Sequence, residues 1–240
     1  PDFAPERFAG WHMLNTMLQK RANLKMHLLT PANADEQSDI IEQGNVDIIY
    51  AYPFDAAYLI REKGYQAVAR PIGKSDEMVI ASKADAGINQ LEDLKPGCKI
   101  AMADNRDVKL IGLRLLEAVD LTDSDIEWHT TENYQAAARE LIKGNADAAF
   151  FLAEVYHGLS RLTRSQLNVL IESDLNDISH VVLVKETATG NQLLLDGLLG
   201  LGQDADGQAV LAELGMPAGF ERMSEEDGEF MIDLMDTLLD

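Results

Sequence analysis

Chemistry in this chain gathers at a few short loops. Tyr52 and Phe54 flank Pro53, and Asn105-Arg106-Asp107-Val108-Lys109 sets an amide, two bases and an acid around one helix start. Thr131 stands three residues before Tyr134, and Glu154 follows the apolar run Ala148-Ala149-Phe150-Phe151. Carboxylates such as Asp107 and Glu154 suit an amine or other cationic group, while Arg106 or Lys109 pairs with a carboxylate at the far end of the same molecule. A zwitterion is the first ligand these types suggest.

Other chemistries find no support in the spacing. Gly73-Lys74-Ser75 has the end of a phosphate-binding loop, but Val68 stands where that loop needs its first glycine. His12, His27, His129, His157 and His180 show no metal-ligand spacing, so no metal and no cofactor are expected. No Gly-x-Ser-x-Gly elbow is present, and the single cysteine, Cys98, lies in a Pro-Gly-Cys turn without an evident base. The expectation is a binding protein and not an enzyme.

The elements that must position these residues are announced by a repeat. Gly44-Asn45-Val46-Asp47-Ile48-Ile49-Tyr50 returns as Gly144-Asn145-Ala146-Asp147-Ala148-Ala149-Phe150. Glycine just past a helix supplies the left-handed cap, and Asn-x-Asp is turn chemistry. Helix-like 35–43 and 133–143 precede the two copies. Further upstream, helix-like 8–21 and strand-like 24–29 match helix-like 107–119 and strand-like 126–131. Two copies of one α/β unit imply two lobes.

Around the repeats, 54–63 reads as a helix, 67–71 and 78–82 as strands, and 88–94 as a short helix. Strand-like 99–102 and 147–151, helix-like 155–162, and strand-like 169–171 and 180–184 follow, and from Gly190 only helical patterns remain. Alternating β and α elements argue for mixed, mainly parallel sheets flanked by helices. The second series lies between 78–82 and 180–184, so the expected lobes are 1–80 with 177–240, and an inserted 81–176. In open α/β sheets ligands gather beyond strand carboxyl ends and at helix N-termini. That rule selects the loops 2–5, 30–35, 50–54, 104–107, 130–134 and 151–154.

Composition narrows the partners. The 240 residues carry 20 basic and 41 acidic side chains, a formal charge of −21. Such a surface repels phosphate backbones, which excludes nucleic acid as a partner class. A hydrophobic content of 46% is enough for real cores. No apolar run approaches the ~18–20 residues of a membrane span, and no charged-then-apolar leader opens the chain. The abrupt start at Pro1-Asp2-Phe3 also raises the expectation of a missing upstream strand.

With these motifs in order, the chain resembles the phosphate/phosphite/phosphonate-binding family of periplasmic solute-binding proteins of ABC importers. The resemblance rests on Gly44–Tyr50 with Pro53 nearby, on 78–82 followed by Leu91-Glu92-Asp93-Leu94, and on Gly207-Gln208-Ala209-Val210-Leu211, Leu214-Gly215 and Gly219-Phe220. It implies a bilobal type II periplasmic-binding-protein fold that closes over a small polar solute and hands it to a membrane permease. A periplasmic or extracytoplasmic location and a monomeric state go with it. It also implies a site of Tyr52, Asp76, Asn105, Arg106, Asp107, Thr131, Tyr134, Glu154 and Ser179. Glu154 falls where family members binding an aminoalkyl phosphonate place the carboxylate that meets the amine. Tyr134 falls at a usual histidine, Asp76 at a pocket tyrosine and Ala34 at another aromatic position, while the Ser-Thr-Ser-Gly phosphonate loop is replaced around 105–109. The resemblance therefore implies the scaffold with an altered pocket. Two alternatives are an extracytoplasmic sensor domain of a signalling receptor and a transferase on a similar bilobal fold. A cytosolic regulator's effector domain is a further one, although the helix-turn-helix segment that usually accompanies it is absent.

Overall fold

A computed structural model describes residues 7–32, 34–175 and 178–239. The first segment runs α1 (Phe8–Ala22), α2 (Ala34–Glu42), β1 (Ile48–Ala51), α3 (Pro53–Lys63) and β2 (Tyr65–Pro71). The middle of the chain follows with β3 (Met78–Lys83), β4 (Cys98–Ala103), α4 (Arg106–Leu116), β5 (Ile126–Thr131), α5 (Tyr134–Lys143), β6 (Ala148–Leu152), α6 (Ala153–Gly158), α7 (Arg161–Arg164) and β7 (Leu167–Glu172). The last part holds β8 (Val181–Lys185), α8 (Asn191–Leu199), α9 (Ala205–Glu213), β9 (Phe220–Arg222) and α10 (Glu225–Leu239). Two compact units result: Pro1–Lys74 with Ser179–Met235, and Ser75–Ile178 with Asp236–Asp240.

In the first unit the strand order is β1-β8-β2-β9. Strands β1 and β2 run the same way, as a β-α-β unit requires, but β8 inserts between them and pairs antiparallel with both. This sheet is therefore antiparallel in every described pairing, unlike the mainly parallel sheet expected. Alternation along β8 splits its side chains between two faces. Val182 and Val184 meet Leu14 and Leu18 of α1, Leu194 and Leu198 of α8, and Val210 and Leu211 of α9. Val181 and Leu183 meet Ala56 and Leu59 of α3 and Met231 of α10.

The second unit is built on a five-stranded sheet of order β5-β4-β6-β3-β7. Here β4 pairs parallel with β5 and β6, while β3 runs antiparallel to β6 and β7. Met78, Val79, Ile80 and Ala81 of β3 and Ala148 to Phe151 of β6 are fully buried, because helices cover both faces of the central strands. The 78–82 strand, which the expected boundary at 80 divides between the lobes, thus lies wholly in this sheet and in the second unit. Gly44 and Gly144, the repeated caps, have φ of 76° and 79° in the first and second units respectively. Each ends its helix where an L side chain would be strained.

Several element expectations need correction. Residues 24–29 alternate half-buried and exposed as a strand would, but they join no described ladder, and Met26 instead packs on the α1–α8–α9 core. The helix read over 155–162 is two short helices, because Leu159 turns to ψ 150° and Ser160 caps the next turn through Thr163 N–H at 3.1 Å. The tail from Gly190 includes a strand, β9, which pairs with the end of β2. The 2–5 loop and Asn33 of the 30–35 loop lie outside the described residues.

Candidate functional site

Seven of the nine candidate residues come to one edge of the second unit's sheet. The in-register pairing of β4 with β5 and β6 brings three strand carboxyl ends together. Antiparallel pairing of Met78 with Leu152 starts β3 at the same edge, and Val79 opposite Glu172 ends β7 there. The residues just beyond are Asp76, Asn105, Arg106, Asp107, Thr131, Tyr134 and Glu154.

The details decide what that edge can bind. Asn105 is the N-cap of α4 and its Oδ1 accepts from Val108 N–H at 3.0 Å. Asn133 does the same for α5, accepting from Ala136 N–H at 2.9 Å. Each amide takes a donor that a bound anion would otherwise use. The Thr131 hydroxyl lies 3.1 Å from the Met102 carbonyl and 3.0 Å from that of Asn133, so its one proton serves the backbone. Asp107, 4% exposed, sits in the first turn of α4, where the helix dipole favours a carboxylate. Tyr134 is buried, with its ring 6.4 Å from that of Phe151. Arg106 and Glu154 are exposed and Asp76 is buried.

Lys109 is not directed to a ligand in the way its type suggested. Its Nζ lies 2.7 Å from Asp123 and 4.4 Å over the Trp128 ring, and the Trp128 indole N–H donates to Asp123 at 2.9 Å. The Lys109 hydrogen bond holds the Asp123 carboxyl below its usual range.

Sequence reasoning missed a supporting network. Glu77, buried beside Asp76, accepts from the Ser173 hydroxyl and from Leu175 N–H at 2.9 Å. Ser173 Oγ in turn accepts from Met78 N–H at 2.9 Å, and the Glu77 carbonyl accepts from Ala153 N–H at 2.7 Å. Asp76 N–H donates to the Ile178 carbonyl at 2.6 Å. Both passages of the chain out of this unit, and the start of the helix that carries Glu154, are thereby tied together. The acidic pair Asp76-Glu77 just ahead of strand-like 78–82 was the available sequence signal, and it is a weak one.

Tyr52 and Ser179 belong to the first unit. The pairing of Ala51 with Val181 sets both at one edge of its sheet, Tyr52 at the N-cap of α3 and Ser179 buried ahead of β8. His180, beside Ser179, packs its ring 4.1 Å from Tyr52 and 5.0 Å from Tyr50, and neither Tyr50 nor His180 was among the expected site residues. A groove of about 720 Å³ in this unit, between α1 and α9, includes none of the nine. Among the described residues no group of three or more His, Cys, Asp or Glu is placed to hold a metal ion, and no helix is long and apolar enough to cross a membrane.

The family model described as "ABC transporter, phosphonate, periplasmic substrate-binding protein" matches residues 1–227. The chain belongs to that family. As a phosphonate-type periplasmic substrate-binding protein it shares its fold with several solved structures. PhnD1 from Prochlorococcus marinus, solved in complex with methylphosphonate, is 12% identical with a TM-score of 0.83, covering 100% of this chain and 95% of that one. A binding-protein component of an ABC phosphonate transporter from Pseudomonas aeruginosa is 15% identical with a TM-score of 0.77, covering 97% and 83%. The periplasmic aliphatic sulphonate-binding protein SsuA from Escherichia coli is 17% identical with a TM-score of 0.67, covering 98% and 89%. At these identities the likeness establishes the fold. No curated protein matches the chain.

Proposed function

We propose that this family member binds a small solute bearing a cationic amine on the periplasmic side and delivers it to a membrane ABC permease. The proposed contacts are Asp76, Asn105, Arg106, Asp107, Thr131, Tyr134 and Glu154 of the second unit. One observation supports the ligand class above the others: the helix starts that would grip an oxyanion are capped by Asn105 and Asn133, beside a buried Asp107. A dianion is held through backbone N–H groups and small hydroxyl donors at a helix N-terminus. Here one such N–H at each helix is already spent, the Thr131 proton is spent, and Asp107, Asp76 and Glu154 add negative charge. A carboxylate next to a desolvated dianion costs several kcal/mol, whereas the same carboxylates favour an ammonium. PhnD1 holds methylphosphonate; this chain is proposed to reject it.

A thermal-shift screen over oxyanions, aminophosphonates, amino acids and quaternary amines tests the reading. A true ligand at a hundredfold excess over its dissociation constant stabilises by about 2.7 kcal/mol. Stabilisation by amine-bearing solutes, lost in Glu154→Gln, supports the proposal. Stabilisation by phosphate or methylphosphonate alone refutes it.

A further inference from the structure

Lys109 stands on α4 three residues after Arg106, at the helix start that opens on the candidate edge of the second unit. Side chains of an α-helix lean toward its N-terminus, and three residues of helix rise only about 4.5 Å. A lysine here can therefore bring its ammonium to the α4 N-terminus, where it would add to the pull of the helix dipole on an anion. It does not do so. The ammonium lies 2.7 Å from Asp123 and 4.4 Å over the Trp128 ring. Trp128 pairs with Ile100 inside the β4–β5 ladder, three residues short of Thr131 at the edge, which is about 10 Å back along the strand.

The seat that holds Lys109 is itself held in place. Trp128 packs edge-on against the fully buried Phe150, with ring centroids 5.5 Å apart and planes at 76°, and its indole N–H donates to Asp123 at 2.9 Å. Asp123 opens the single helical turn 123–125, which is closed by Thr122 donating its N–H and hydroxyl to Asp125 at 2.9 and 2.7 Å. The Lys109 hydrogen bond holds the Asp123 carboxyl below its usual range, so the carboxylate is charged at neutral pH. A half-exposed ion pair alone exchanges readily with water. A ring that takes the ammonium on its face and also orients the carboxylate adds a cation–π contact and restricts the acid. We infer that Asp123 and Trp128 are positioning residues that set the ligand's charge class: they hold Lys109 away from the candidate edge and so deny an oxyanion a base that α4 would otherwise offer. The inference rests on the proposed function, in which that edge excludes an oxyanion.

Phosphorus NMR titration of methylphosphonate into the whole chain, which reads millimolar affinity, is the test. The expected result is a gain of about tenfold in Asp123→Asn over the wild type, erased when Lys109→Met is added. Tenfold corresponds to about 1.4 kcal/mol, the order of an exposed ion pair together with a cation–π contact. It is the cost of emptying the seat, which the variant no longer carries. Trp128→Leu removes the ring and leaves Asp123 in place, and it should move affinity the same way, again only while Lys109 is present. A Trp11→Phe background leaves Trp128 as the sole tryptophan, so in Asp123→Asn its emission should change as methylphosphonate draws the ammonium off the ring. A gain that survives Lys109→Met reports only the loss of a nearby acid and overturns the inference, as does a gain without a change in Trp128 emission. No gain in either Asp123→Asn or Trp128→Leu also overturns it and leaves the proposed function standing. Tight methylphosphonate binding by the wild type overturns the proposed function, and the inference with it.

Discussion

Replacing Glu77 gives the most demanding check on the second unit. In Glu77→Ala the Leu175 N–H and the Ser173 hydroxyl lose a buried carboxylate acceptor. An orphaned donor costs about 1–3 kcal/mol where buried, as the Ser173 hydroxyl is, and toward the low end for the part-buried Leu175 N–H, and the one lost methylene adds about 0.8 kcal/mol. Relief of the carboxylate's desolvation offsets part of this, so a net loss of about 3–4 kcal/mol is expected. For a chain of this length that lowers the melting temperature by roughly 6–16 °C, at about 2–4 °C per kcal/mol. Glu77→Gln retains the carbonyl for Leu175 and is expected to lose only about 1–2 kcal/mol, near one hydrogen bond to a charged group. Trp128 lies in the second unit and Trp11 in the first, so urea unfolding read with each tryptophan in turn localises the effect. The Trp128 transition should move first and furthest. A Glu77→Ala shift under about 1 kcal/mol, the size of an ordinary surface change, would refute the network's role.

Gly112→Ala places a Cβ 2.1 Å from the buried Phe150 ring, so thermal melts should show a loss of about 1–3 kcal/mol or more, partly restored by adding Phe150→Leu. Cys98 is buried, and burial raises its thiol pKa; native protein at pH 8 should resist iodoacetamide, while denatured protein reacts at once. The Asp123 pKa is lowered in the folded state, chiefly by Lys109. Its contribution is therefore present above the unfolded value of about 3.9 and lost as pH falls through the folded one. Carboxyl NMR titration should show Lys109→Met returning Asp123 toward the ordinary value.

The sequence carried the scaffold well where a local signal matched the paired structure. The repeated Gly-Asn-x-Asp ends a helix ahead of a strand in each unit, and β5 spans the very residues its pattern indicated. It misled where period alone stood in for pairing. Residues 24–29 alternate correctly yet join no ladder among the described residues, and β9 is too short to outweigh the helical pattern around it. Insertion of β8 between β1 and β2 is a long-range event that no window of sequence shows. At the candidate site, strand-end reasoning brought Asn105, Asp107, Thr131 and Glu154 to one edge. It could not see that Asn105 and Thr131 are occupied with the backbone, that Asp123 draws Lys109 aside, or that Glu77 lies under the site. Those depend on side chains meeting across elements. The packing of His180 on Tyr50 and Tyr52 was invisible for the same reason.

The central claim is that the altered edge of the second unit excludes an oxyanion and accepts an amine. Calorimetric titration of methylphosphonate into the wild-type chain and into Glu154→Gln tests it most directly. The account predicts a dissociation constant weaker than about 1 mM for the wild type, corresponding to less than about 4.1 kcal/mol of binding free energy. Micromolar or tighter binding that is unchanged by Glu154→Gln would contradict it.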